Sequence, residues 1–155
     1  MHLDLYHLMG HALKEAEKAS LSGEVPVGAV IAGQEGEIVA SAHNQPIALN
    51  DPTAHAEILV IRKASLACQN YRLSNTVLVV TIEPCTMCMG AVINARVPKL
   101  VYGADDPKGG AAGSLYDFAG DGRLNHKIEV ISGIRDDECR VLMQDFFRMR
   151  RAKGS

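Results

Sequence analysis

The seven residues from Thr76 to Ile82 are almost all β-branched and almost wholly apolar, the composition of a central strand buried on both faces. Such a strand needs neighbours in its sheet and cover above and below. Pro84 ends it, because proline offers no N–H to a ladder. Around this run the pattern alternates between helix and strand. Apolar residues at Leu5, Leu8, Met9, Ala12, Ala16 and Ala19 recur at helical spacing before Gly23. The runs 28–32 and 37–42, separated by Gly33-Gln34-Glu35-Gly36, predict a hairpin, and 44–52 predicts a loop.

A second helix is expected from Thr53 to about Tyr71, with Ala54, Ile58, Ile61 and Ser65 on its apolar stripe. A third is expected from Cys85 to Ala95, then a strand at 99–103, a weaker one at 127–131 and a closing helix over about 136–151. Alternating strands and helices imply one α/β domain across residues 1–155, with helices packed on a mixed sheet. At 155 residues and 47% apolar, the chain can bury a sizeable core without disulfides.

The formal net charge is −2, so no global field drives the chain onto nucleic acid or membrane. The distribution is uneven. Residues 1–139 hold 11 basic against 17 acidic side chains, whereas 140–155 hold Arg140, Arg148, Arg150, Arg151 and Lys153 against Asp145 alone. The closing helix is therefore a local basic patch. No apolar run approaches the roughly 20 residues of a membrane span, and Met1-His2-Leu3-Asp4 lacks the basic opening and apolar core of a signal peptide. A reducing cytoplasm is expected, where cysteines bind metal or do chemistry more often than they form disulfides.

Two short motifs carry that chemistry. His55-Ala56-Glu57 opens the second expected helix, and Pro84-Cys85-Thr86-Met87-Cys88 opens the third. Two thiolates and one neutral imidazole suit Zn2+, and three protein ligands leave a fourth tetrahedral position for water, the arrangement of a catalytic site. Thiolates at a helix N-terminus meet the positive end of its dipole, which lowers their proton affinity. Cys85 and Cys88, three apart, share a helix face. His55 and Glu57, two apart, do not, so an ion must lie off the first turn, with His55 ligating and Glu57 beside it as general base.

Alone, Cys-x-x-Cys could equally be a dithiol redox pair, and a structural zinc would want a fourth Cys or His. Cys68 and Cys139 fall inside expected helices, as small buried apolar residues. The loop 103–113 carries four of the 14 glycines but lacks the Gly-Lys-Ser/Thr of a phosphate loop, and reads as a segment needing permissive backbone. His2, His7, His11, His43 and His126 receive no catalytic role.

His-x-Glu followed by Pro-Cys-x-x-Cys resembles the signature of zinc-dependent nucleobase and nucleoside deaminases. The likeness extends to Glu24-Val25-Pro26-Val27-Gly28-Ala29-Val30, Asp51-Pro52-Thr53-Ala54, 109–114, Asn125-His126 and Asp145-Phe146-Phe147-Arg148-Met149-Arg150-Arg151. These stretches, from about residue 5 to 151, are similar to the tRNA-specific adenosine deaminases of bacteria. Relatives acting on cytidine, guanine or riboflavin precursors share the zinc motif but are not expected to carry the Phe-Phe-Arg tail.

That resemblance implies a three-layer, cytidine-deaminase-like fold with a five-stranded mixed sheet flanked by helices. It implies a homodimer with one Zn2+ per subunit that converts adenosine to inosine at the wobble position of a tRNA anticodon, usually an arginine tRNA. Asn44 is then expected to hydrogen-bond the flipped adenine. Asp106, Lys108 and Asn125 are expected to contact neighbouring riboses or phosphates. Of Phe146 and Phe147 at most one can face the RNA, and Phe147 is the expected one; Arg148 and Arg150, with Arg151 and Lys153, attract phosphates. The partner is the anticodon stem-loop, with no membrane. The alternative is a zinc deaminase of a free base or nucleoside such as guanine or cytidine.

Overall fold

The computed structural model describes residues 3–154; Met1, His2 and Ser155 lie outside the described residues. The elements run α1 Leu5–Leu21, β1 Gly28–Gly33, β2 Ile38–His43, α2 Pro46–Leu49, α3 Ala56–Cys68, β3 Thr76–Ile82, α4 Thr86–Asn94, β4 Lys99–Ala104, β5 Glu129–Ile131 and α5 Asp136–Ala152. One five-stranded sheet has the order β2-β1-β3-β4-β5. β1 is antiparallel to both β2 and β3, while β3, β4 and β5 run parallel. The mixed α/β sheet expected from the sequence is present, with β3 at its centre and buried from Val77 to Ile82.

Helices cover both faces. α1 and α5 touch each other and pack on one side, over β1, β3 and β4; α3 covers β1 and β2 from the other, with α4 beside it. α1 starts where the Asp4 carboxylate accepts the His7 N–H at 3.0 Å, an N-cap that satisfies an otherwise orphaned donor. It buries Leu8, Met9, Ala12, Ala16 and Ala19, the periodic residues of the sequence. Gly28 is what lets α1 lie so close, since a Cβ there would collide with the Ala12 carbonyl and the Ala16 N–H.

Four local expectations are corrected. The segment 44–52 is not all loop, because residues 46–49 wind into α2, whose Ile47 and Ala48 N–H groups donate to the buried Glu24 carboxylate at 3.1 and 2.8 Å. One turn held by a carboxylate 23 residues away leaves no periodic trace. The helix expected at 53–71 starts later, at Ala56, because Thr53 is held in a turn by Asp51 Oδ1 through both its N–H and its hydroxyl. It stops at Cys68, where Gln69 takes a left-handed φ of 52°.

The face of α3 turned to the sheet is Ala56, Glu57, Val60 and Ala64, not the stripe of Ile58, Ile61 and Ser65. Small side chains let the helix approach the sheet closely, and the bulkier isoleucines line a groove with α4. Cys68, expected inside a helix and buried, is its exposed last residue, whereas Cys139 is buried as expected.

Candidate metal centre and substrate cleft

His55 and Cys85 each occupy the N-cap position of a helix, α3 and α4, with extended backbone and no capping bond from their own side chains. Those side chains are thereby left available as ligands. For α3 the capping is done from outside, by Asn44, whose Oδ1 accepts the Ala56 N–H at 2.7 Å. Cys88 lies one turn into α4 and is fully buried. β3 delivers Cys85 directly, through Glu83 and Pro84, so a candidate ligand is fixed to the most buried strand of the sheet.

The donor atoms of His55, Cys85 and Cys88 all lie within 4.8 Å of one another. His55 Nδ1 stands 3.6 Å from Cys85 Sγ and 3.5 Å from Cys88 Sγ. A tetrahedral zinc with Zn–S of about 2.3 Å and Zn–N of about 2.0–2.1 Å would separate nitrogen from sulfur by about 3.6 Å, so both nitrogen–sulfur edges of the triangle have the length zinc requires. The protonation chemistry agrees. The Cys85 thiol is lowered to about 4, chiefly by the hydrogen bond from Cys88 and then by His55, against the cost of burial. Cys88 is pushed strongly the other way by that same bond and by burial. A divalent cation bound between them lets both ionise. Among the described residues no further Cys, His or carboxylate joins this cluster, and Cys68 and Cys139 belong to other parts of the fold.

Glu57 is 4% exposed, and its Oε1 is buried without a hydrogen-bond partner. Burial raises its pKa to about 7, opposed by its own backbone N–H and by His55. A carboxyl poised near neutrality, with one oxygen unsatisfied beside a metal triangle, is equipped to accept and return a proton.

The other expected site residues fall into three groups. Asn44 is buried, and because its carbonyl oxygen is committed to α3, its amide nitrogen is the group left to donate. Asp106 and Lys108 face Phe147, Arg148 and Arg151 across a cleft of about 730 Å³. Phe146 is buried while Phe147 is 39% exposed, so the two rings divide as expected between core and surface. Arg148 is paired with Asp145 at 3.0 Å. Arg150 lies over the Phe146 ring at 5.3 Å and lines a different hollow near Ser20 and Leu21, while Arg151 lines the cleft. Asn125 is exposed and does not line this cleft.

Sequence reasoning missed Glu83. It is 3% exposed, and its carboxylate accepts the N–H groups of Asp106, Ala112 and Ser114, each at 3.0 Å, together with the Ser114 hydroxyl. Burial would raise its pKa, but these donors outweigh burial and lower it. The available signal was an acid placed between an almost wholly apolar strand and a proline.

A family model for the cytidine and deoxycytidylate deaminase zinc-binding region matches residues 4–104. The tRNA-specific adenosine deaminase of Haemophilus influenzae is 46% identical over 93% of this chain and 83% of its own length. That of Bacillus subtilis is 48% identical over 94% and 89%. A solved structure from a study of A-to-I editing by tRNA:A34 deaminases at the wobble position superposes with a TM-score of 0.84 at 45% identity, covering 88% of this chain and 98% of that one. A guanine deaminase from Nitrosomonas europaea superposes with a TM-score of 0.80 at 24% identity, a likeness of fold.

Proposed function

The chain belongs to the cytidine and deoxycytidylate deaminase family, and within it to the tRNA-specific adenosine deaminases; on that premise we propose that His55, Cys85 and Cys88 hold its zinc, that Glu57 moves the protons, and that the cleft under α5 receives the anticodon loop. The enzyme is a hydrolase that turns adenosine at the tRNA wobble position, with water, into inosine and ammonia. The observation that carries the residue assignment is the orphaned Oε1 of Glu57 beside a three-donor cluster. A structural metal site has no use for a buried, unpaired acid.

Zinc bound there supplies Lewis acidity that makes water a competent nucleophile near neutral pH. Glu57 Oε1 accepts the proton of the attacking water and delivers it to ring N1 as C6 becomes tetrahedral; it then takes the proton of the new C6 hydroxyl and passes it to the departing amine as the C6–N bond breaks. Asn44 donates its amide hydrogen to the base and so fixes the ring. The side chain of Phe147 offers a face on which an unstacked loop base can rest, and Arg148 and Arg151 offset phosphate charge. Anticodon-loop bases are already partly splayed, which lowers the cost of extracting the target.

Residues 1–155 are read as a single deaminase domain acting on an arginine tRNA in the cytoplasm; no helix of the described residues is long and apolar enough to cross a membrane. The enzyme is read as a homodimer, its second copy seated on the groove where Ile58, Ile61, Leu66 and Tyr71 line up with Ala91 and Ala95. Leu66 and Tyr71 are 80% and 72% exposed in the single chain, apolar surface that pairing would remove from water.

The test is to incubate zinc-loaded protein with arginine tRNA, a transcribed anticodon stem-loop, free guanine and cytidine. Inosine at the wobble base, without ammonia from the small substrates, is expected. Ammonia from guanine or cytidine with an unmodified stem-loop would replace this reading with that of a free-base or nucleoside deaminase.

A further inference from the structure

The loop that brings Asp106 and Lys108 to the substrate cleft sends only its middle, Gly110, Ala111 and Ala112, into the core. Asp105, Pro107 and Lys108 are exposed, and so is the stretch from Gly113 to Asp117. Its two ends are tied together by one buried acid. The two oxygens of Glu83 gather donors from both ends of the loop, Asp106 at one and Ala112 and Ser114 at the other. Gly110 closes around the carboxylate so tightly that a Cβ there would overlap it. Two backbone bonds complete the seam: Glu83 N–H donates to Ala104 O at 2.9 Å, and Ala111 N–H donates to Pro84 O at 2.8 Å. Asp106, once held by its N–H, uses its own Oδ1 to accept from Lys108 and Gly109, each at 3.2 Å.

Glu83 therefore stands between two working parts. On one side, two residues along the chain, is Cys85; on the other is the loop carrying one wall of the cleft. We propose that Glu83 is a positioning residue for RNA recognition, holding the 106–114 loop, and with it Asp106 and Lys108, in register with the metal centre. It touches neither substrate nor metal. A carboxylate rather than an amide is required because all four of its partners are donors, and only an ionised acid can accept from all of them. One glycine of this loop has a corresponding cause: Gly110 is small because the carboxylate occupies the space a side chain would need.

This inference rests on the tRNA reading for its substrate, and the experiment separates the two. Glu83→Gln is prepared zinc-loaded, alongside Ser114→Ala, Lys108→Ala and the Glu83→Gln/Lys108→Ala pair. Zinc content, amide hydrogen exchange of the free proteins, and KM and kcat on the anticodon stem-loop are measured. Glu83→Gln is expected to keep its zinc, to lose exchange protection at Asp106, Ala112 and Ser114, and to raise KM roughly tenfold with kcat nearly unchanged. The double variant is expected to raise KM by less than the product of the single effects, because both act through one loop. Ser114→Ala, which removes a single hydroxyl donor, is expected to shift KM the same way by less, and it carries the test if Glu83→Gln does not fold.

An unchanged KM in Glu83→Gln, or in a folded Ser114→Ala used in its place, overturns the proposal. So does a loss of zinc or a fall in kcat matching the rise in KM, which would make Glu83 a support of the metal centre alone. If wild-type protein forms no inosine while Glu83→Gln still loses loop protection, the tRNA reading fails and the anchoring role stands.

Discussion

Every group of the metal centre comes from the cap or first turn of a helix set into the core, while the basic cleft is assembled from the exposed end of α5 and a surface loop. Cys88 and Glu57 are buried. Phe147, Arg148 and Arg151 are exposed, and Arg148 already shares its charge with Asp145. The difference follows from the two tasks. Moving a proton and gripping a small ion tolerate errors of a fraction of an ångström, which only packed elements can guarantee. Holding a charged loop of RNA needs potential and a flat ring, and both survive some motion of the side chains.

Substitutions in the two regions should accordingly fail in different ways. The largest effect is expected from Cys85→Ala, which removes a ligand; elemental analysis should find little zinc, and activity should fall below about a thousandth of wild type. Retained zinc with near-normal turnover would erase the distinction between the regions. Glu57→Ala comes next. It should keep about one zinc per chain and bind stem-loop normally, while kcat drops by roughly 10² to 10⁴, and a near-normal rate would remove Glu57 from the mechanism.

In the cleft the loss should appear in affinity, not in chemistry. Phe147→Ala is expected to weaken stem-loop binding roughly tenfold, in line with the loss of one stacked base, at unchanged single-turnover rate. Arg151→Ala should cost only a few-fold and reduce the slope of log affinity against log salt by about 0.7. Arg150→Ala, directed over Phe146 into another hollow, should change that slope less; the reverse order would mean that RNA reaches the far side of α5.

The same contrast governs what could be read without coordinates. The central strand, the three candidate ligands and the candidate acid are marked by residue types that occur together for few other reasons, and the spacing of the site residues places them at helix starts. Phe147 was separable from Phe146 because neighbours on a helix cannot share a face. The inner face of α3 was not legible, since the helix carries apolar residues on two sides and periodicity cannot say which meets the sheet. Ala56, Val60 and Ala64 win by being small. Arg150 and Arg151 could not be ranked because the turn of a long helix end depends on where its base is packed. Glu83 was hidden for a different reason: three of its four partners are backbone N–H groups from residues 106 to 114, and main-chain donors leave no mark in a sequence.

X-ray absorption at the zinc edge of the loaded enzyme tests most directly whether three side chains hold the ion and leave a coordination position for chemistry. Two sulfur and two lighter neighbours around one zinc per chain are the expected result. Three or more sulfur neighbours, or protein that takes up no zinc, would contradict it.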